Sequence, residues 1–106
     1  MLLRPRRSDA VSRRITYRFR LYIAGNTANS AQAIANLTAL CRTHLLDRHE
    51  IEIVDVFSDP QRALADGILM TPILIKVSPE PRRRIVGTLS HEQVVLQTLG
   101  MDALPP

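Results

Sequence analysis

The chain has 106 residues, enough for one domain with a single hydrophobic core and no need of disulfides or metal. Apolar residues make up 45% of it, but aromatics only 4% and tryptophan none, so the core must be built from Leu, Ile, Val and Ala. No apolar run approaches the ~18–20 residues of a membrane helix, and the net charge of +4 belongs to the first fourteen residues rather than to the domain as a whole.

Residues 1–14 hold Arg4, Arg6, Arg7, Arg13 and Arg14 against Asp9. This Pro-broken, Arg-rich stretch reads as a disordered basic extension ahead of a domain at residues 15–102. Only Met1-Leu2-Leu3 precede the first arginine, so the apolar core of a secretory signal is missing, and the arginines show no amphipathic period; a cytoplasmic location is expected. From Ile15 onward nine basic residues meet nine acidic ones, which removes the charge argument for nucleic acid from the domain itself.

The domain opens with Ile15–Ile23, where Tyr17, Phe19, Leu21 and Ile23 alternate with Arg18 and Arg20 as in a strand. Ala24-Gly25-Asn26-Thr27 breaks it. From Ala28 to Leu46, Ile34, Leu37, Leu40/Cys41 and Leu45 recur at three or four residues and predict an amphipathic helix, with Asn26 or Thr27 as its cap. Ile51, Ile53, Val54 and Val56 predict a second strand, mostly buried and parallel to the first, which makes a right-handed βαβ unit.

Ser58-Asp59-Pro60 supplies a cap and a first-turn proline for a short helix Gln61–Asp66, and Gly67 stands where a left-handed helix end is wanted. Thr71-Pro72 leads into a third strand Ile73–Val77, and Ser78-Pro79-Glu80-Pro81 turns the chain into a fourth, Arg82–Val86. Ser90-x-x-Gln93 reads as a capping box with Leu89 stapled to Val94, so the last helix is placed from Ser90, with Val95, Leu96 and Leu99 facing inward up to Gly100.

The resulting order, βαβαββα, is that of an α/β, thioredoxin-like fold. The second half resembles thioredoxin in detail, including Thr-Pro before the third strand and Val-Gly-x-Leu-Ser after the fourth; the resemblance implies a cis peptide at Pro72. Redox chemistry does not follow. A dithiol enzyme needs a thiolate nucleophile and a resolving cysteine, whereas Cys41 is the only cysteine and sits on the apolar stripe of the first helix, away from the Ala24–Ser30 turn.

Other constellations have structural explanations. His44, His49 and His91 lack both metal-pair spacing and a completing acidic or cysteine set, and read as solvent-exposed. Asp55, Asp59 and Asp66 fit strand ends and helix caps. Ser30 and Ser90 have no partnered triad, and Gly25 alone makes no phosphate loop. Arg82-Arg83-Arg84 reads as a solvated edge strand, with a partner contact as the alternative. No catalytic, cofactor or metal residue is assigned.

Thr16-Tyr17, then Leu21-Tyr22-Ile23-Ala24-Gly25-Asn26-Thr27 and Asn29-Ser30, closely resemble the first strand and turn of the KaiB family of circadian-clock proteins. Val54-Asp55-Val56, Asp59-Pro60-Gln61, Ile68-Leu69, Thr71-Pro72 and Ile85-Val86-Gly87-x-Leu89-Ser90 continue the match in order, covering roughly Thr16 to Leu99. The resemblance implies a non-catalytic regulator that binds the ring of a KaiC-type ATPase and alters its phosphorylation timing. It also implies two accessible folds, one thioredoxin-like and one, associated with tetramers, in which the second half is rearranged. Departures from the family pattern are Ala28 for a proline, Glu52 where clock members carry lysine, a less apolar Gln97–Gly100 segment, and the basic extension. Contact with the ATPase is expected on the first helix and second strand, at Gln32, Arg42 and Glu52. A thioredoxin-scaffold oxidoreductase, a stress-related adaptor outside any clock, and a nucleic-acid or membrane-surface module driven by the tail are the competing readings.

Between the two folds, β-branched Ile73–Val77 and the helix signals at Ser90 and Gln93 favour the thioredoxin-like state. Gly67 supports a helix end in that register, while Gly100 weakens a terminal strand. A monomer is the expected form.

Overall fold

A computed structural model describes residues 15–102; the basic extension at 1–14 and the last four residues lie outside the described residues. The elements run β1 (Tyr17–Ile23), α1 (Ala28–His44), β2 (His49–Asp55), α2 (Pro60–Ala65), β3 (Ile73–Ser78), β4 (Arg83–Val86) and α3 (Glu92–Thr98), in the expected order βαβαββα. The sheet order is β2-β1-β3-β4, with β1 parallel to β2 and antiparallel to β3, and β3 antiparallel to β4. The segments whose assignment separates the two expected folds, 73–78 and 92–98, are strand and helix.

β1 is an inner strand, and its alternation sorts the molecule into two layers. Tyr17, Phe19 and Leu21 face α1 and α3 and bury against Leu37, Leu40, Cys41, Leu45, Leu96 and Leu99 in the larger core. Tyr22, on the opposite face, buries with Val54, Ala63, Ile73 and Ile75 under α2. α1 begins at Thr27, whose hydroxyl oxygen accepts the Ser30 N–H, so the second of the two expected caps is the one used.

β2 departs from expectation. Of its seven residues only Val54 is buried, and Ile53 is 43% exposed. Its apolar residues suggested a mostly buried strand, but the order puts β2 at the sheet edge, where only Val54 is buried and Ile51 packs partly against the larger core. The cap of α2 also differs. Asp59 occupies the N-cap position without a side-chain hydrogen bond to the helix. Asp55 instead ties the neighbouring turns, its Oδ1 accepting the N–H groups of Gly25 (3.2 Å) and Phe57 (2.9 Å). Gly67 follows α2 at φ +66°, the left-handed conformation expected there. The Thr71–Pro72 peptide is cis.

The last helix is capped one residue later than its sequence indicates. Leu89 adopts φ +64° and turns into the larger core, which leaves Ser90 outside it. The Ser90 hydroxyl then meets Thr88 Oγ1 at 2.7 Å and the Gln32 amide at 3.5 Å instead of capping the helix. His91 takes the N-cap position without a side-chain bond, and Gln93 is exposed. The staple is not formed as expected, because Val94 is 57% exposed while Val95 buries with Leu89. At the other end Gly100 turns the chain at φ +73°. There Lys76, 3% exposed, donates from Nζ to the Leu99 carbonyl at 2.8 Å, with the Tyr17 ring 5.8 Å away. A cation at a helix C-terminus complements the dipole. Burial holds this ammonium below its ordinary pKa, helped by the Arg83 charge.

Two outcomes follow from this packing. Leu37 has no exposed surface, so Leu37→Ala lowers the unfolding free energy by about 2–5 kcal/mol, seen as a lower urea midpoint with an unchanged slope. In solution, NMR secondary shifts give strand across 73–78 and helix across 92–98 in the major species; helix in the first segment and strand in the second would contradict this fold.

Candidate protein-binding surface

The residues singled out as contacts do not share one face. Gln32 and Arg42 are exposed on α1, with Gln32 close to Ser90 across the gap to the α3 segment. Glu52 pairs in register with Arg20 of β1. It therefore stands on the opposite sheet face, with α2.

Glu52 is the centre of an ion-pair ladder that the sequence reading did not find. Its Oε1 accepts from Arg20 Nε at 3.1 Å and from Arg62 Nη2 at 2.9 Å, and its Oε2 accepts from Arg62 Nη1. Arg20 continues to Asp66, donating from Nη1 to Oδ2 at 2.8 Å. The Tyr22 hydroxyl donates to the same Oδ2 at 2.6 Å, with the Arg62 carbonyl 3.0 Å from it. Arg84 Nη2 donates to the Asp66 carbonyl. A looser pair, Arg18 with Glu50 at 3.5 Å, extends the row along β1 and β2.

The electrostatic consequences follow from these bonds. The Arg62 and Arg20 guanidiniums hold the Glu52 carboxyl down to about 2, against the opposing effect of desolvation. Asp66 is also held below the ordinary aspartate range, first by the Tyr22 hydroxyl and then by Arg20. Burial and the bond to Asp66 push the Tyr22 phenol up. The ladder joins positions 10 to 46 residues apart, on three strands and a helix, so no local motif announces it. The one available signal was charge on an inner strand: Arg20 had to find partners.

Arg42 projects from the last turn of α1, where its charge complements the helix dipole. His44 and His49, expected in solvent, are partly buried: His44 Nε2 lies 2.6 Å from Glu92 Oε2, and His49 Nδ1 lies 2.8 Å from the Leu45 carbonyl. His91 is exposed. Among the described residues no group of three or more His, Cys, Asp or Glu is arranged to hold a metal. Cys41 has no exposed surface, and burial raises its thiol pKa to about 12. Ser30, 1% exposed, accepts the Ala24 N–H at 3.1 Å and the Thr27 hydroxyl at 2.8 Å, so it braces the turn where a thioredoxin carries its dithiol. Phe57 beside Gly25, with Leu69 and Met70, leaves apolar surface exposed in the loops at this end of the sheet. No helix among the described residues is long and apolar enough to cross a membrane.

The ladder sets an acid limit. The folded pKa values of Glu52 and Asp66 lie below their unfolded values. The unfolded chain thus binds more protons in this range, and stability falls as pH drops. For Glu52 the loss runs from about 4.5 down to about 2. Urea unfolding at pH 7 and at acid pH checks this: Glu52→Gln shows a smaller difference between the two than the parent chain.

The family model described as the KaiB domain matches residues 20–101. The circadian clock protein KaiB3 of Synechocystis sp. is 48% identical over 86 residues, covering 81% of this chain and 82% of that protein. A circadian clock oscillator protein KaiB of Synechococcus sp. is 44% identical over 94 residues, covering 89% of this chain and 84% of that one. Among solved structures, chloroplastic thioredoxin z superposes with a TM-score of 0.67 at 18% identity, over 93% of this chain and 89% of that one. The N-terminal domain of Synechococcus elongatus SasA gives 0.66 at 16% identity, over 87% and 90%. The fold is thioredoxin-like, and the chain belongs to the KaiB family.

Proposed function

We infer that the chain is a non-catalytic, protein-binding regulator that docks on a KaiC-type ATPase and alters the timing of its phosphorylation. The observation that carries this reading is the KaiB-domain match across residues 20–101, together with relatives named as circadian clock proteins over more than four-fifths of this chain. The buried Cys41, with its raised pKa, supports the absence of dithiol chemistry.

The contacts are Gln32 and Arg42 on α1 and Glu52 on β2. Because Glu52 lies across the sheet from α1, one partner reaching all three has to straddle the free edge of β2. The active form is a cytoplasmic monomer, and Pro72, Gly67 and Gly100 hold the thioredoxin-like register in which it binds. The basic extension is an appendage to the 15–102 domain.

Binding to a purified KaiC-type ATPase, followed by interferometry with ATP and with ADP, tests this reading. A complex forms in one nucleotide state, Arg42→Glu weakens it about tenfold, and the phosphorylation rhythm of the ATPase shifts when the chain is added. Absence of binding in both nucleotide states, or turnover of a dithiol substrate by the purified chain, would overturn it.

A further inference from the structure

The sheet face that carries α2 is only partly covered. The six residues of α2 sit over Tyr22, Val54, Ile73 and Ile75. The other half of that face is open, with Arg18, Arg20, Glu50, Glu52 and Val77 around a groove of about 320 Å3. Strand register arranges its side chains in columns: Glu50 and Glu52 on β2 oppose Arg18 and Arg20 on β1, and beyond the apolar β3 column Arg84 of β4 opposes Ile75. Arg62 reaches in from α2, and the charge of Arg82 acts on Asp66 together with that of Arg20. Five arginines (18, 20, 62, 82 and 84) thus meet four carboxylates (Glu50, Glu52, Asp59 and Asp66), an excess of one positive charge on one face of a domain whose charges sum to zero.

We propose that this open half-face is a docking surface for an acidic segment of a protein partner, whose carboxylates take the outward N–H groups of Arg18, Arg82 and Arg84. The proposal rests on the protein-binding reading of the chain and assigns that binding a second, chemically defined surface. Glu52 and Asp66 already hold the Arg20 and Arg62 forks in place. Little side-chain ordering in the ladder therefore remains to oppose docking. The apolar column through Val77 gives the residues between the acids something to cover. Nucleic acid fits less well. The aromatic ring on this face, Tyr22, has no exposed surface on which a base could stack.

NMR titration of the full chain with a capped peptide of alternating glutamate and alanine tests the surface directly. Amides of Arg18, Arg20, Ile51, Val77 and Arg84 shift, added salt weakens the effect, and a matching lysine peptide produces none of it. The double variant Arg18→Glu with Arg82→Glu, its fold checked by circular dichroism, loses about tenfold or more in peptide affinity. Shifts confined to α1, no shifts at all, or tighter binding of a single-stranded oligonucleotide than of the acidic peptide would overturn the proposal. The same variant distinguishes it from the family reading. If the parent chain binds a KaiC-type ATPase and the variant binds it equally well, this surface is refuted and the family reading stands. If neither binds the ATPase while the peptide maps to this face, the family reading falls and the surface stands.

Discussion

Everything in this molecule has to accommodate β1. It is hydrogen-bonded along both edges, to β2 and to β3, while only one of its two faces is fully apolar. Tyr17, Phe19 and Leu21 commit the first face to α1 and α3. The second face presents Arg18, Arg20 and Tyr22, and a helix of six residues, about 9 Å long, is all that covers it. Tyr22 falls under that helix and is buried; Arg20 falls at its margin and is paired twice, with Glu52 and with Asp66. An unpaired guanidinium there would carry the cost of partial desolvation without compensation. The ladder therefore follows from placing an arginine on an inner strand beside a helix too short to hide it.

The same economy holds α3. Seven residues make a marginal helix in water, and this one has neither a side-chain N-cap bond nor a basic residue in its last turn. Its stability comes from burying Val95, Leu96 and Leu99 and from a cation supplied by another element, Lys76 of β3. The strand and the helix are thus chemically joined. β3 provides apolar residues on both faces and also places the ammonium that satisfies the end of α3. A rearrangement of either segment would have to give up that bond.

The sequence displayed what depends on periodicity and omitted what depends on long-range company. Tyr17, Phe19 and Leu21 announced a strand face, and Leu37, Cys41 and Leu45 a helix stripe, because each pattern is written within a few residues. Thr27 and Gly67 were readable for the same reason, since a cap and a left-handed helix end are local problems. The burial expected of β2 was met only in part, Ile51 packing at the core's margin and Ile53 staying exposed, because composition cannot tell an edge strand from an inner one. The capping box at Ser90 failed because Leu89 was drawn into the core at φ +64°, so tertiary packing overrode a local signal. Nothing near Lys76 in sequence indicates its bond to Leu99. Of the proposed contacts, Gln32 and Arg42 sit on one layer and Glu52 on another, a separation visible only once the strand register is known.

The turn after β1 bears on how such a scaffold is used. In a dithiol enzyme this turn must present a reactive atom to solvent. Here its polar groups are turned inward: the Ala24 N–H goes to Ser30, the Gly25 N–H to Asp55, and the Thr27 hydroxyl to Ser30. A turn satisfied in this way fixes the geometry between β1 and α1 and offers no nucleophile. What remains exposed nearby is apolar surface at Phe57, Leu69 and Met70, and on the half-open sheet face a row of arginines and carboxylates. Recognition needs surface area, shape and charge rather than an activated group. Among the described residues, the exposed chemistry at this end of the sheet and on its half-open face is of that kind.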